Sequence, residues 1–233
     1  MSRVLVLAGG SPHAHDFAAC GIALARIVTD LHHDVQVVTH PDEAAELLRG
    51  EGDDAVDALV MDGLWWRMLG DTYDQWRDEF GYSPSESTRS TLRSFVAEGG
   101  GMLAVHTTPI CFDDWPEWGD VVGGAWRWGV SSHPPVGPVT AHIVGTHPVV
   151  EGLPAQLMLR DEVYGDMAVR DGVHVLAVAK RNDGDAEQPV VWAHSYGNGR
   201  VVFDGFGHDA DSLNQPHHAQ LLGQALNWVM AAS

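Results

Sequence analysis

The sequence predicts an α/β fold, a mostly parallel sheet with helices packed on both of its faces. Apolar runs of strand length alternate with segments of helical length over the first hundred residues, the β-α-β-α-β order that joins parallel strands by crossovers. The runs at 4–8, 58–61 and 102–105 are apolar without alternation, as expected of strands buried on both faces. Glycine turns flank two of them, Gly9-Gly10 after the first and Gly99-Gly100-Gly101 before the last. Ligands of such a sheet sit at the carboxyl ends of its strands, and the last of these runs ends in His106.

Each element follows in order. After the first strand, Ser11 can cap a helix and Pro12 suits its first turn, with the helix running to about residue 31. That helix start is a weak anion-site signal, because the glycines do not complete a Gly-x-Gly-x-x-Gly. Residues 35–39 read as a second strand, 41–49 as a short helix, and 58–61 as a third strand ending at Asp62. The chain then leaves this rhythm and crowds Trp65, Trp66, Tyr73, Trp76, Phe80 and Tyr82 into a segment without a clear period. A helix over 87–98 leads into the central strand. Proline and glycine make the stretch after His106 a loop. Strands are expected over 139–144 and 173–179, and a hairpin pairs 189–194 with 200–204 across Tyr196-Gly197-Asn198-Gly199. A helix over 216–230 closes the chain. Residues 1–233 thus read as one domain with two aromatic-rich insertions, about 63–86 and 107–137.

Composition narrows the partners. With 13 Lys+Arg against 32 Asp+Glu, the net charge of −19 repels nucleic acid and anionic membrane surfaces. The first residues enter a strand at once and no apolar run approaches membrane-spanning length, so a cytoplasmic protein is expected. Two cysteines, Cys20 and Cys111, make neither a disulfide framework nor a zinc motif. Self-association into a homo-oligomer stays open, since the aromatic insertion would serve as interface or as lid.

Fourteen histidines and nine tryptophans are the compositional oddity. Two strands end in histidines, His106 and His208, and His133 and the pair Asp161-Glu162 lie in loops that can reach the same edge. Imidazoles with carboxylates suit a general acid/base pair, with His106, His208, Glu162 and Asp161 as catalytic candidates. They equally suit a divalent metal, zinc or similar, on His106, His133 and His208. Aromatic faces bury the apolar faces of sugar rings while carboxylates take the hydroxyls. Trp115, Trp118, Asp113, Asp114, His133 and Tyr164 are therefore candidates to bind a small carbohydrate.

These blocks also resemble a known family. The order of Gly99-Gly100-Gly101, strand and His106; Gly123-Gly124 and His133-Pro134; His147-Pro148; Asp161-Glu162-Val163-Tyr164; Trp192; Tyr196-Gly197-Asn198-Gly199-Arg200-Val201; and Gly207-His208 is similar to ThuA-like (trehalose utilisation) proteins. The resemblance implies a class I glutamine amidotransferase-like fold, a flavodoxin-like three-layer sandwich, and a role in bacterial metabolism of trehalose or a related sugar or keto-sugar. Glutaminases of that superfold carry a nucleophilic cysteine at the elbow after the central strand and a His with a Glu two residues on. By that resemblance the elbow here is His106, the late histidine is His208, and Ala210 stands where the glutamate would be. Imidazole cannot replace the thiolate, so glutaminase activity is not expected. An enzyme of sugar chemistry is the leading expectation. A non-catalytic sugar- or partner-binding module is the alternative, and a flavin binder a third.

Overall fold

The computed structural model describes residues 1–231. In chain order the elements are β1 (Arg3–Gly10), α1 (Phe17–Asp30), β2 (Asp34–Val38), α2 (Pro41–Leu47), β3 (Ala58–Leu64), α3 (Asp74–Phe80), α4 (Glu86–Ala97), β4 (Gly101–Val105) and α5 (Trp118–Val122). There follow β5 (Gly124–Ala125), β6 (Gly137–Ile143), β7 (Gln156–Asp161), β8 (Ala168–Val169), β9 (His174–Ala179), β10 (Gln188–Tyr196), β11 (Gly199–Asp204), α6 (Ala210–Leu213) and α7 (Pro216–Met230).

Nine strands form one sheet in the order β2-β1-β3-β4-β11-β10-β9-β6-β7, and β5 pairs with β8 separately. The first five are parallel to one another. The remaining four extend the sheet in antiparallel fashion. This is the α/β sandwich the apolar runs predict. Alternate residues of each inner strand feed two cores. Val4 and Val6 of β1 pack with Leu24 of α1 and Leu222 of α7, whereas Leu5 and Leu7 pack with Ala44 of α2 and Leu92 of α4. Each such fully buried aliphatic side chain contributes about 1.5–3 kcal/mol, which is why runs without a polar face were needed. Helix α7 lies so close to β4 that a Cβ on Gly101 would meet the Val229 carbonyl at 2.7 Å.

Several expectations need correction. Ser11 does not cap α1: β1 runs on to Gly10, and the helix starts only at Phe17, where Asp16 accepts a hydrogen bond from the Ala19 amide. Residues 11–16 are consequently a loop, and they carry His15 to the sheet edge. Asp62 lies inside β3, which continues to Leu64. Strand β7 went unread because it is a sheet edge, where Leu157, Leu159 and Asp161 are buried and Gln156, Met158 and Arg160 are exposed. The stretch after His106 is loop only in part, since it holds α5 and β5. No helix among the described residues is long and apolar enough to cross a membrane.

Candidate functional site

The carboxyl ends of β1, β3, β4, β7 and β11 emerge at one edge of the sheet, as the parallel and alternating antiparallel pairings dictate. His106 follows β4 in the left-handed region, at φ +46, a conformation that costs a non-glycine residue about 1 kcal/mol or more unless its surroundings impose it. They do. Its amide extends the β4–β11 pairing with a 2.7 Å bond to the Asp204 carbonyl. The buried Thr107 and Thr108 hydroxyls donate to the carbonyls of Gly63 and Met61 at 2.7 Å each. The turn thus presents a wholly buried imidazole to the edge.

The His106 ring is fixed at both nitrogens. Nδ1 lies 2.9 Å from the Gly205 carbonyl, an acceptor only, so Nδ1 carries the proton. Nε2 then accepts from the Tyr164 hydroxyl at 3.0 Å, and the two rings stack with centroids 4.8 Å apart. Glu162 lies at the centre of the cluster. Its Oε2 is 3.6 Å from His106 Nε2, and its Oε1 is 3.1 Å from His133 Nδ1 and 3.5 Å from His208 Nδ1. The chain position of Ala210 suggested a missing carboxylate beside His208. The fold supplies it from Glu162, while the neighbouring Asp209 is occupied as the cap of α6.

Electrostatics separates these groups. Burial pushes His106 down to about 4, with His208 and His133 adding to the effect. Burial would raise Glu162, but the hydrogen bond from His133 and the neighbouring His208 and His106 hold it well below the usual carboxylate range. The same Glu162 raises both His133 and His208. Burial keeps the Tyr164 hydroxyl protonated, well above its ordinary value.

Asp161 does not face the cluster. Buried, it accepts from the Gly207 amide at 2.8 Å, the Glu162 amide at 2.7 Å and the Ser212 hydroxyl, and so holds the chain around His208 in place. Gly207 itself sits at φ +113 with room for no Cβ, which would meet Val105 at 2.9 Å. The tryptophan reading is also corrected. Trp115 and Trp118 are 4% and 2% exposed and pack on Phe112 in the core, with the Trp118 indole donating to the Thr108 carbonyl. Asp113 pairs with Arg67, and Asp114 with Arg89 and Ser83, so these carboxylates tie the two insertions together. The half-buried Trp126 takes the position expected of them, its ring 5.3 Å from Tyr164 and 6.1 Å from His133.

Two groups at this edge were not among the site residues expected from the sequence. His15 is one, its ring 5.0 Å from His106 and 4.5 Å from His208. Only its place in the loop after β1 signals it. Asp62 is the other, wholly buried, with neither carboxylate oxygen hydrogen-bonded, and pushed by burial up to about 8. A cavity of about 620 Å³ opens beside His15, lined by Phe17, His40, Trp65, Phe80 and Tyr82, within the range of small-ligand pockets.

Comparison with known proteins identifies the family. A family model described as ThuA, trehalose utilisation, matches residues 3–229. The chain belongs to the ThuA family. Two solved structures described as ThuA-like superpose on almost all of it. The one from Parabacteroides merdae has a TM-score of 0.78 at 20% identity, covering 99% of this chain and 90% of that one. The one from Bacteroides uniformis has a TM-score of 0.72 at 18% identity, covering 98% and 91%. A Thermoplasma acidophilum protein described as belonging to a GMP synthase shares the fold more distantly, with a TM-score of 0.55 at 13% identity over 98% and 96%. None of the curated protein sequences matches significantly. In this ThuA-family chain the turn after β4 presents the imidazole of His106. Its nearest cysteine in sequence, Cys111, is buried, donates to the Gly63 carbonyl and has its thiol pushed well above the ordinary value.

Proposed function

We propose that this ThuA-family protein is an enzyme acting on a small carbohydrate, a sugar or keto-sugar of the trehalose class, with the reacting atoms held between His106, His208 and Glu162. The observation that supports it is the convergence of His106, His133, His208 and Tyr164 around one low-lying carboxylate. Imidazole, carboxylate and phenol groups, which between them offer hydrogen-bond donors and acceptors, lie there within 3.6 Å of a neighbour in the cluster. Structural histidines do not need such an arrangement, because each would be satisfied more simply by a single partner. Trp126 and Tyr164 supply aromatic surface beside the cluster, and the cavity next to His15 gives room for the remainder of a disaccharide. Thiolate chemistry has no place in this reading, given the imidazole at the elbow and the inert Cys111.

The test is turnover of a panel of disaccharides, monosaccharides and their keto derivatives, followed by product analysis. Conversion by the wild type, with loss in His106→Asn and Glu162→Gln at unchanged thermal midpoint, supports the reading. Binding of a sugar without any conversion would replace it with a non-catalytic sugar-binding module. Full turnover in both variants would remove the site from the chemistry.

A further inference from the structure

We infer that His15, His106 and His208 together form a binding site for one divalent first-row transition cation, of the zinc, cobalt or nickel kind. One ring nitrogen from each of the three lies within 4.8 Å of the others. They come from three separate segments, the loop after β1, the turn after β4 and the turn after β11, so no local repeat explains their meeting. The arrangement includes His15 in place of His133, whose Nδ1 is directed at Glu162 instead.

Two features favour ligation over mere packing. First, two of the rings are oriented as ligands are. His106 Nδ1 is held by the Gly205 carbonyl at 2.9 Å and His15 Nδ1 by the His208 carbonyl at 3.2 Å. A carbonyl accepts only, so each ring keeps its proton on Nδ1 and its lone pair on Nε2, the outer-sphere pattern that fixes metal-bound imidazoles. Second, His208 Nδ1 is shielded from solvent yet has no hydrogen-bond partner, its nearest carboxylate oxygen being Glu162 Oε1 at 3.5 Å. Three imidazoles with one adjacent carboxylate suit a borderline-soft cation, whereas magnesium and calcium demand oxygen donors. Ligand nitrogens in a tetrahedral zinc site lie about 3.4 Å apart, so binding would draw these rings together by about 1.4 Å at most. The cation would replace the Tyr164 proton on His106 Nε2 and leave Tyr164, Glu162 and His133 to handle protons. It thereby decides between acid–base and ligand roles for His106 and His208 in favour of ligation.

Chelator-stripped full-length protein titrated with Co²⁺, read by visible d–d absorption and by elemental analysis after desalting, tests the site without any substrate. The expected result is one equivalent bound, with Co²⁺ affinity falling at least about 100-fold in His15→Ala and in His208→Ala and unchanged in His133→Ala. Loss of a ligand should cost no less than loss of an outer-sphere partner does. Saturating Zn²⁺ should also raise the wild-type thermal midpoint and not that of His15→Ala, as linkage requires. No stoichiometric Co²⁺ at micromolar concentration, or equal affinity in His15→Ala, overturns the proposal. One equivalent of Co²⁺ with no sugar turnover would leave the cation site standing and remove the enzyme reading, whereas sugar turnover by protein that binds no stoichiometric Co²⁺ would do the reverse.

Discussion

Two histidine–carboxylate clusters lie at the same edge of this sheet and behave in opposite ways. In the first, His218 of α7 and Asp204 of β11 are both fully buried and fully satisfied. His218 Nε2 is 2.9 Å from Asp204 Oδ2, its Nδ1 is 2.8 Å from the Ser212 carbonyl, and Asp204 Oδ1 accepts from the Phe206 amide. Both ring nitrogens face acceptors, so the ring is held as an imidazolium, raised by Asp204 against the effect of burial. In the second, His106, His133 and His208 share one Glu162, and His208 Nδ1 is left without a partner. The same residue types thus make a closed structural pair in one place and an unfilled arrangement in the other. What separates them is the completeness of hydrogen bonding, which neither residue type nor burial reveals.

That contrast can be broken by experiment. The largest effect is expected at the open cluster, where Glu162→Gln should lower kcat/KM for the sugar substrate by about 10²–10⁴-fold with little change in thermal midpoint. A midpoint drop matching that of the closed pair would erase the distinction. Next, Asp204→Ala should destabilise the fold by about 3–5 kcal/mol, because it strands a buried imidazolium. Calorimetry should register this as a fall of about 10 °C in a chain of this length. Third, Trp118→Ala should cost about 3–5 kcal/mol of stability through its core cavity, whereas Trp126→Ala should raise KM and leave the midpoint nearly unchanged. Reversed behaviour would return the sugar contacts to Trp118.

The remaining test is in pH. His218 titrates higher in the folded state than its ordinary 6.5, so its contribution to stability is complete below that value and is lost as pH rises through the raised folded value. Asp62 acts in the same direction over a different window. Its folded value of about 8 against 3.8 means that stability declines between about pH 4 and pH 8 as the unfolded chain gives up a proton that the folded one keeps. Midpoints measured from pH 4 to 9 should show a shallower decline in Asp62→Asn than in the wild type. Parallel curves would mean that Asp62 is solvated in solution.

Much of this was legible in the residues, and the exceptions have physical causes. Apolar runs at 4–8, 58–61 and 102–105 announced buried parallel strands, and the Gly197-Asn198 turn announced the hairpin of β10 and β11. His106 and His208 were readable because each lies in the turn after a recognisable strand. Trp115 and Trp118 misled because aromatic side chains look alike in sequence whether they pack inward or face a ligand. Asp113 and Asp114 misled for a similar reason, their arginine partners lying 46 and 25 residues away.

By itself, then, the sequence determined the buried parallel strands, the β10–β11 hairpin and the edge at which the site forms, since strand burial and turn chemistry act over neighbouring residues. Only the tertiary structure decided which side chains meet there. His15, Glu162 and His208 come from distant segments, and their contacts depend on the register of β7 and β11 and on a loop that delays the start of α1 to Phe17. No local propensity encodes that delay, and it is the delay that brings His15 to the other two histidines.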